Sequence, residues 1–173
     1  MSLIYLLSSL PMLSFDAVPG ITPAQFVETC REQLSASDAA TAEALLYGHP
    51  VNHASLATWQ NKEVLLRNAI ARQRARIAGQ DATRWTRPAH GCAVWIENEV
   101  ETAFQEADPL KRELALDKVR WMIADELQGF DPLAVEVVFA YAVRLAIVTR
   151  RAGLNAEQGQ QTFSTLTEVP MTL

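Results

Sequence analysis

Cysteine occurs only twice in 173 residues, as Cys30 and Cys92. Two thiols are too few for a disulfide framework and fit a reducing cytoplasm. Glycine (7) and proline (8) are sparse and no low-complexity tract occurs, which argues against long disordered stretches. No lysine or arginine precedes Arg31. The apolar opening MSLIYLLSSLPMLSF therefore lacks the basic region of a secretory signal, and it is too short for a membrane helix of ~20 residues. A short buried helix or strand stopped by Pro11 is expected there. No segment alternates with period two for long enough to demand a strand. No glycine-rich phosphate loop follows a strand, no nucleophile elbow occurs, and the Glu-x-x-His pattern of a di-iron bundle is missing. These absences leave no catalytic residue and no cofactor to expect, and the chain reads as something other than an enzyme.

What is present is helical pattern. About half the residues are apolar (49%) and a fifth are charged (20%), the balance of an ordinary globular chain long enough for one domain. Asp131 to Gly153, DPLAVEVVFAYAVRLAIVTRRAG, is apolar on every face apart from Glu136, Arg144 and Thr149. A helix of that kind must be wrapped by others. Asp131 and Pro132 offer a start, Gly153 a left-handed stop, and Arg150 and Arg151 suit the negative end of the dipole. A membrane span is the competing reading, but it is short and would carry Glu136 and Arg144 in hydrocarbon. The same Asp-Pro-Leu start occurs 23 residues earlier, at Asp108, and opens an amphipathic helix with Leu110, Leu114, Trp121 and Ile123. The short link Gly129-Phe130 implies an antiparallel hairpin.

Upstream, Thr22-Pro23-Ala24-Gln25 is a capping box, followed by Phe26, Val27, Cys30 and Leu34 at helical spacing. Ser35 and Ser37 can cap a second short helix with Ala40, Ala44, Leu45 and Tyr47 inward, ended by Gly48-His49-Pro50. Ala54 to Ala78 is a long helix whose Trp59, Leu66, Ile70 and Ile77 mark one face. Residues 79–91 form a hinge-like loop. A helix from Ala93 to Ala107 follows, with Ala93, Ile96, Val100, Ala103, Phe104 and Ala107 inward. A last helix is expected from Asn155 to Leu166, with Phe163 and Leu166 inward and fraying after Pro170. The expected fold is all-α: a single domain over residues 1–173, a bundle of six to eight helices around a central apolar helix at about 132–151. A small lobe over residues 1–53 is compatible with it.

Charge is unevenly placed. Residues 1–58 carry one base and five acids, a net of −4. Residues 59–92 carry seven bases and two acids, a net of +5. Residues 93–131 carry four bases and ten acids, a net of −6. Either these segments neutralise each other in the fold or the basic one is held out for a partner. Arg67, Arg72, Arg74 and Arg76 form the candidate basic face, and Glu97 and Glu101 the acidic one. Nucleic acid is a poor partner, because the chain is acidic overall and no aromatic platform interleaves the arginines. Glu136 and Arg144 are candidate buried charges, each needing a partner on a neighbouring helix or an opening to water. Asp125 or Glu126 could serve Arg144. A zinc reading built from His49, His53, His90 and Cys92 is set aside, since Pro50 lies between the first two.

Tyr5 to Phe15 resembles the opening of a little-characterised bacterial family. Further likeness lies in Asp108-Pro109-Leu110, Leu116-Asp117-Lys118-Val119-Arg120-Trp121, Asp125-Glu126-Leu127-Gln128-Gly129-Phe130 and Ala140-Tyr141-Ala142-Val143-Arg144-Leu145. Members of that family are encoded beside subunits of V-type (A/V-type) ATPases. The resemblance implies a non-catalytic subunit, adaptor or assembly factor of such an ATPase. The helical pattern is also loosely similar to the subunit that caps the rotor ring, called C in prokaryotes and d in eukaryotes. A cytoplasmic protein, peripheral at the inner membrane, would follow. The alternative is a helical small-molecule-binding or enzymatic domain with an anion site near Arg144, Glu136, Trp121 and Tyr141.

Overall fold

A computed structural model describes residues 3–154. Among them are seven α-helices, two 3-10 turns and no strand. The helices are α1 (Leu3–Ser9), α2 (Pro23–Gln33), α3 (Ala36–Leu46), α4 (Ala57–Ile77), α5 (Val94–Ala103), α6 (Pro109–Gln128) and α7 (Val135–Ala152). The helix expected from Asn155 to Leu166 lies outside the described residues. No helix among those described is long and apolar enough to cross a membrane.

The caps follow the sequence closely. Thr22 and Gln25 form the complete capping box, Ser35 accepts from the Asp38 N–H, and Asp108 accepts from the Leu110 N–H at 2.8 Å. Asp131 makes the same local bond, from the Leu133 N–H at 2.9 Å, but the two copies then diverge. The Asp108 carbonyl accepts from Arg112, four residues on, and a helix grows directly. The Asp131 carbonyl accepts from Ala134, only three residues on. Ala134 is then extended, at φ −81° and ψ 149°, and α7 starts at Val135 with no side-chain cap. The central helix is thus Val135–Ala152 rather than about 132–151. Its end also differs: Gly153 has φ −81°, so no left-handed residue closes it. Gly129, at φ +65°, is the glycine that a left-handed turn does require, between α6 and α7.

The core has two apolar clusters joined through α6. One gathers Leu6 of α1, Phe26 and Cys30 of α2, Ala42 and Leu45 of α3, and most of the inner face of α7. The other gathers Leu66 and Ile70 of α4, Ile96 and Val100 of α5, and Leu116, Val119 and Ile123 of α6. The C-terminal part of α6 (Ala124, Leu127) belongs to the first cluster. α7 is central as expected, with Val138, Phe139, Ala140, Ala142 and Leu145 fully covered.

Three short-range expectations are corrected. In α3 the buried face is Ala39, Ala42, Leu45 and Leu46, while Ala40 and Tyr47 are exposed. Ile77, in the last turn of α4, is 66% exposed, and it borders a shallow cleft beside Phe104 and Pro109 rather than the core. Ala107 is exposed because α5 ends at Ala103.

Candidate functional site: an arginine-lined cleft beside α4

α4 carries charge on two of its flanks. On one, Arg72 donates to Glu97 at 2.8 Å and Arg76 stands 3.8 Å from Glu101. The two arginines are four residues apart on α4 and the two glutamates four apart on α5, so the helices meet with matched spacing. Here the basic and acidic segments neutralise each other within the fold. On another flank Arg67 and Arg74 border a cleft between α4, α6 and the connector after α4. Their nearest carboxylates are Glu63 and Glu113, each at 3.7 Å.

The cleft has a volume of about 420 Å³. Ala71, Ala75 and Ala78 keep the α4 surface low along it, and Ile70 and Leu116 supply an apolar floor. Arg67, Arg74 and Arg120 provide its cations and Glu113 its one carboxylate. Trp85 forms a wall, with the Arg84 guanidinium 5.7 Å from its ring centre.

That wall is held by residues that sequence reasoning missed. The buried Asn68 donates to the Arg87 carbonyl and accepts from the Arg87 N–H, both at 2.8 Å. Two turns earlier, Asn61 treats His90 in the same way, at 2.7 and 2.8 Å. Each carboxamide pairs with a peptide as a neighbouring strand would. The hinge-like stretch 79–91 is therefore stitched to α4 at two points. Its signal was available: asparagine is a poor helix former, and two of them stand seven residues apart in one helix.

Glu63, close to Arg67, is largely covered. Burial pushes its carboxyl above the ordinary carboxylate value, and Arg120 and Arg67 pull it partly back. Asp117 was likewise unmarked as a site. It is 4% exposed and takes Arg120 from its own helix, at 3.0 Å, and Arg150 from α7.

Arg144 reaches from α7 to α6. It donates to Asp125 and to Gln128 (3.0 Å) and lies 5.5 Å from the Trp121 ring centre. Of the two partners proposed from sequence, Asp125 takes it, while Glu126 pairs with Lys62. Glu136 sits half-buried in the first turn of α7, well away along the helix. Tyr141 stacks on Phe26 at 5.4 Å and donates to the Pro11 carbonyl at 2.9 Å. Burial pushes its phenol up to about 12. These residues fasten helices together and do not converge on one opening.

The histidines are similarly engaged in structure. His53 pairs with Ser55 and Asp38 and packs edge-on against Phe139. Among the described residues no group of three or more His, Cys, Asp or Glu is arranged to hold a metal ion.

A family model described as a protein of unknown function (DUF2764) matches residues 95–169. That span takes in α5, α6 and α7, and hence Glu113, Asp117, Arg120, Arg144 and Arg150. The α4 side of the cleft lies outside it. Neither the comparison with curated proteins nor that with solved structures gives a match.

Proposed function

We propose that this chain is a non-catalytic binding protein that works through protein–protein contacts, as a subunit, adaptor or assembly factor of a bacterial V-type ATPase. The observation that carries the binding role is the state of the α4 arginines. Arg67 and Arg74 keep 64% and 66% of their side chains in solvent, and their carboxylate neighbours stand at 3.7 Å. Exposed, loose pairs of this kind contribute little to stability. Exchanging an internal carboxylate for a partner's is therefore nearly neutral, and the positive ridge can steer an acidic partner into place.

The ATPase assignment rests on the resemblance in Tyr5–Phe15 and in the α6–α7 motifs. A cytoplasmic site of action, peripheral to the membrane-bound complex, belongs to the same proposal. The small-molecule alternative centred on Arg144 draws less support, since Asp125, Gln128 and Trp121 already occupy its guanidinium.

Affinity capture with the tagged full chain from native membranes tests the proposal. Recovery of V-type ATPase subunits in stoichiometric amount is expected. Capture that yields no ATPase subunit would count against it.

A further inference from the structure

The α4 cleft has features that narrow the chemistry of what it takes. Arg67 and Arg74 are two helical turns apart, about 10 Å along the axis. One phosphate or carboxylate cannot bridge them. An extended peptide advances about 3.3 Å per residue and turns every second side chain to the same face, so acidic residues four apart, about 13 Å, bring both carboxylates within reach of the long arginine side chains, with the residue midway between them facing the cleft. Between the two arginines the cleft offers Ile70 and Ala71 as floor, Leu116 opposite and Trp85 as wall. This is a seat for one bulky apolar side chain flanked by acidic ones.

The surroundings favour the same occupant. The chain is acidic overall, at −5, whereas Arg67 and Arg74, 64% and 66% exposed and 3.7 Å from their carboxylates, present loosely paired cations at the rim of the cleft. The two hydrogen bonds between the Asn68 carboxamide and the Arg87 backbone hold the connector that carries Trp85, so the wall stands before any ligand arrives. Pre-organisation of that kind lowers the ordering cost of binding.

We infer that the cleft between α4, α6 and the connector is the receptor for an acidic segment of the partner protein, which seats one bulky apolar side chain against Trp85 and its carboxylates on Arg67 and Arg74. The inference rests on the adaptor role proposed above and names the surface and the partner chemistry.

Selection of random dodecapeptides on the immobilised full chain tests it directly. Enrichment is expected for peptides with two or more acidic residues spaced around a large apolar one. A selected peptide, labelled and titrated by fluorescence anisotropy, should bind at least about tenfold more weakly to Arg74→Glu. Glu113→Gln should bind it more tightly, because that substitution removes the competing carboxylate; a purely structural role for Arg74 predicts no such gain. Binding should weaken as salt rises. No enrichment, enrichment without acidic residues, or unchanged affinity in an Arg74→Glu protein that melts like the parent would overturn the inference. The two proposals can fail separately. If Arg67→Glu/Arg74→Glu still recovers ATPase subunits, the cleft inference falls and the adaptor role stands. If the peptide binds but the parent chain recovers no ATPase subunit, only the adaptor role falls.

Discussion

Asn68 shows how one side chain can set the shape of a site. Replacing it with alanine removes both bonds to Arg87 and leaves a peptide N–H and carbonyl without their partner. We expect Asn68→Ala to cost about 2–3 kcal/mol in urea denaturation and to speed amide exchange at Arg87. An unchanged exchange rate there would mean that the connector is held by something else. Glu63 gives a pH test. Its folded-state pKa is raised by burial, so stability is fully present below the unfolded value and falls as pH rises through the folded one. Glu63→Gln should therefore melt higher than the parent at pH 7, and the gap should close below about pH 4.5. Cys30 is buried, and burial pushes its thiol up to about 12, whereas Cys92 is exposed. A thiol reagent at pH 8 should count one fast cysteine in the native protein and two after denaturation. Cys30 was legible as a core thiol from helical spacing alone. Two asparagines in one helix were a signal, but their partners Arg87 and His90, like the Arg150 partner of Asp117, were not legible, because tertiary packing brings each of them close.

At the scale of elements, the hairpin of α6 and α7 shows both the reach of sequence patterns and their limit. The Asp-Pro-Leu signal was read as a helix start in both copies; it is one at Asp108, whereas at Asp131 it makes a turn and the helix follows only at Val135. Which carbonyl the fourth residue bonds then decides whether a helix grows at once or three residues later, and no composition rule records that choice. The hairpin is cross-braced by Asp117. Arg120 and Arg150 are partly in solvent, at 29% and 54%, while the carboxylate is covered. The costs of breaking the brace should therefore be unequal. Asp117→Asn frees two cations that can turn to water, and about 1–3 kcal/mol is expected. Arg120→Ala/Arg150→Ala strands a buried carboxylate, and a larger loss of about 3–5 kcal/mol is expected. Equal losses by chemical denaturation would contradict this account of the pair.

At the scale of the whole molecule, the apolar run at 132–152 organises one half of the core, and the paired helices α4 and α5 complete the other half against α6. The all-helical class and the central place of α7 were legible because a helix apolar all round has to be wrapped. The division of charge was legible only as an alternative. Packing resolves it by face: Arg72 and Arg76 meet the α5 carboxylates, while Arg67 and Arg74 turn to the cleft. Ala71 and Ala75 on α4 and Ala78 just past its end, unremarkable in sequence, keep the wall of the cleft low. We propose that this arginine-lined surface recruits subunits of a V-type ATPase. Capture from native membranes with the parent chain and with Arg67→Glu/Arg74→Glu, both shown by melting to be folded, tests it most directly. The account predicts that the parent retains ATPase subunits and the charge-reversed chain loses them. Failure of the parent chain to retain any ATPase subunit would contradict it.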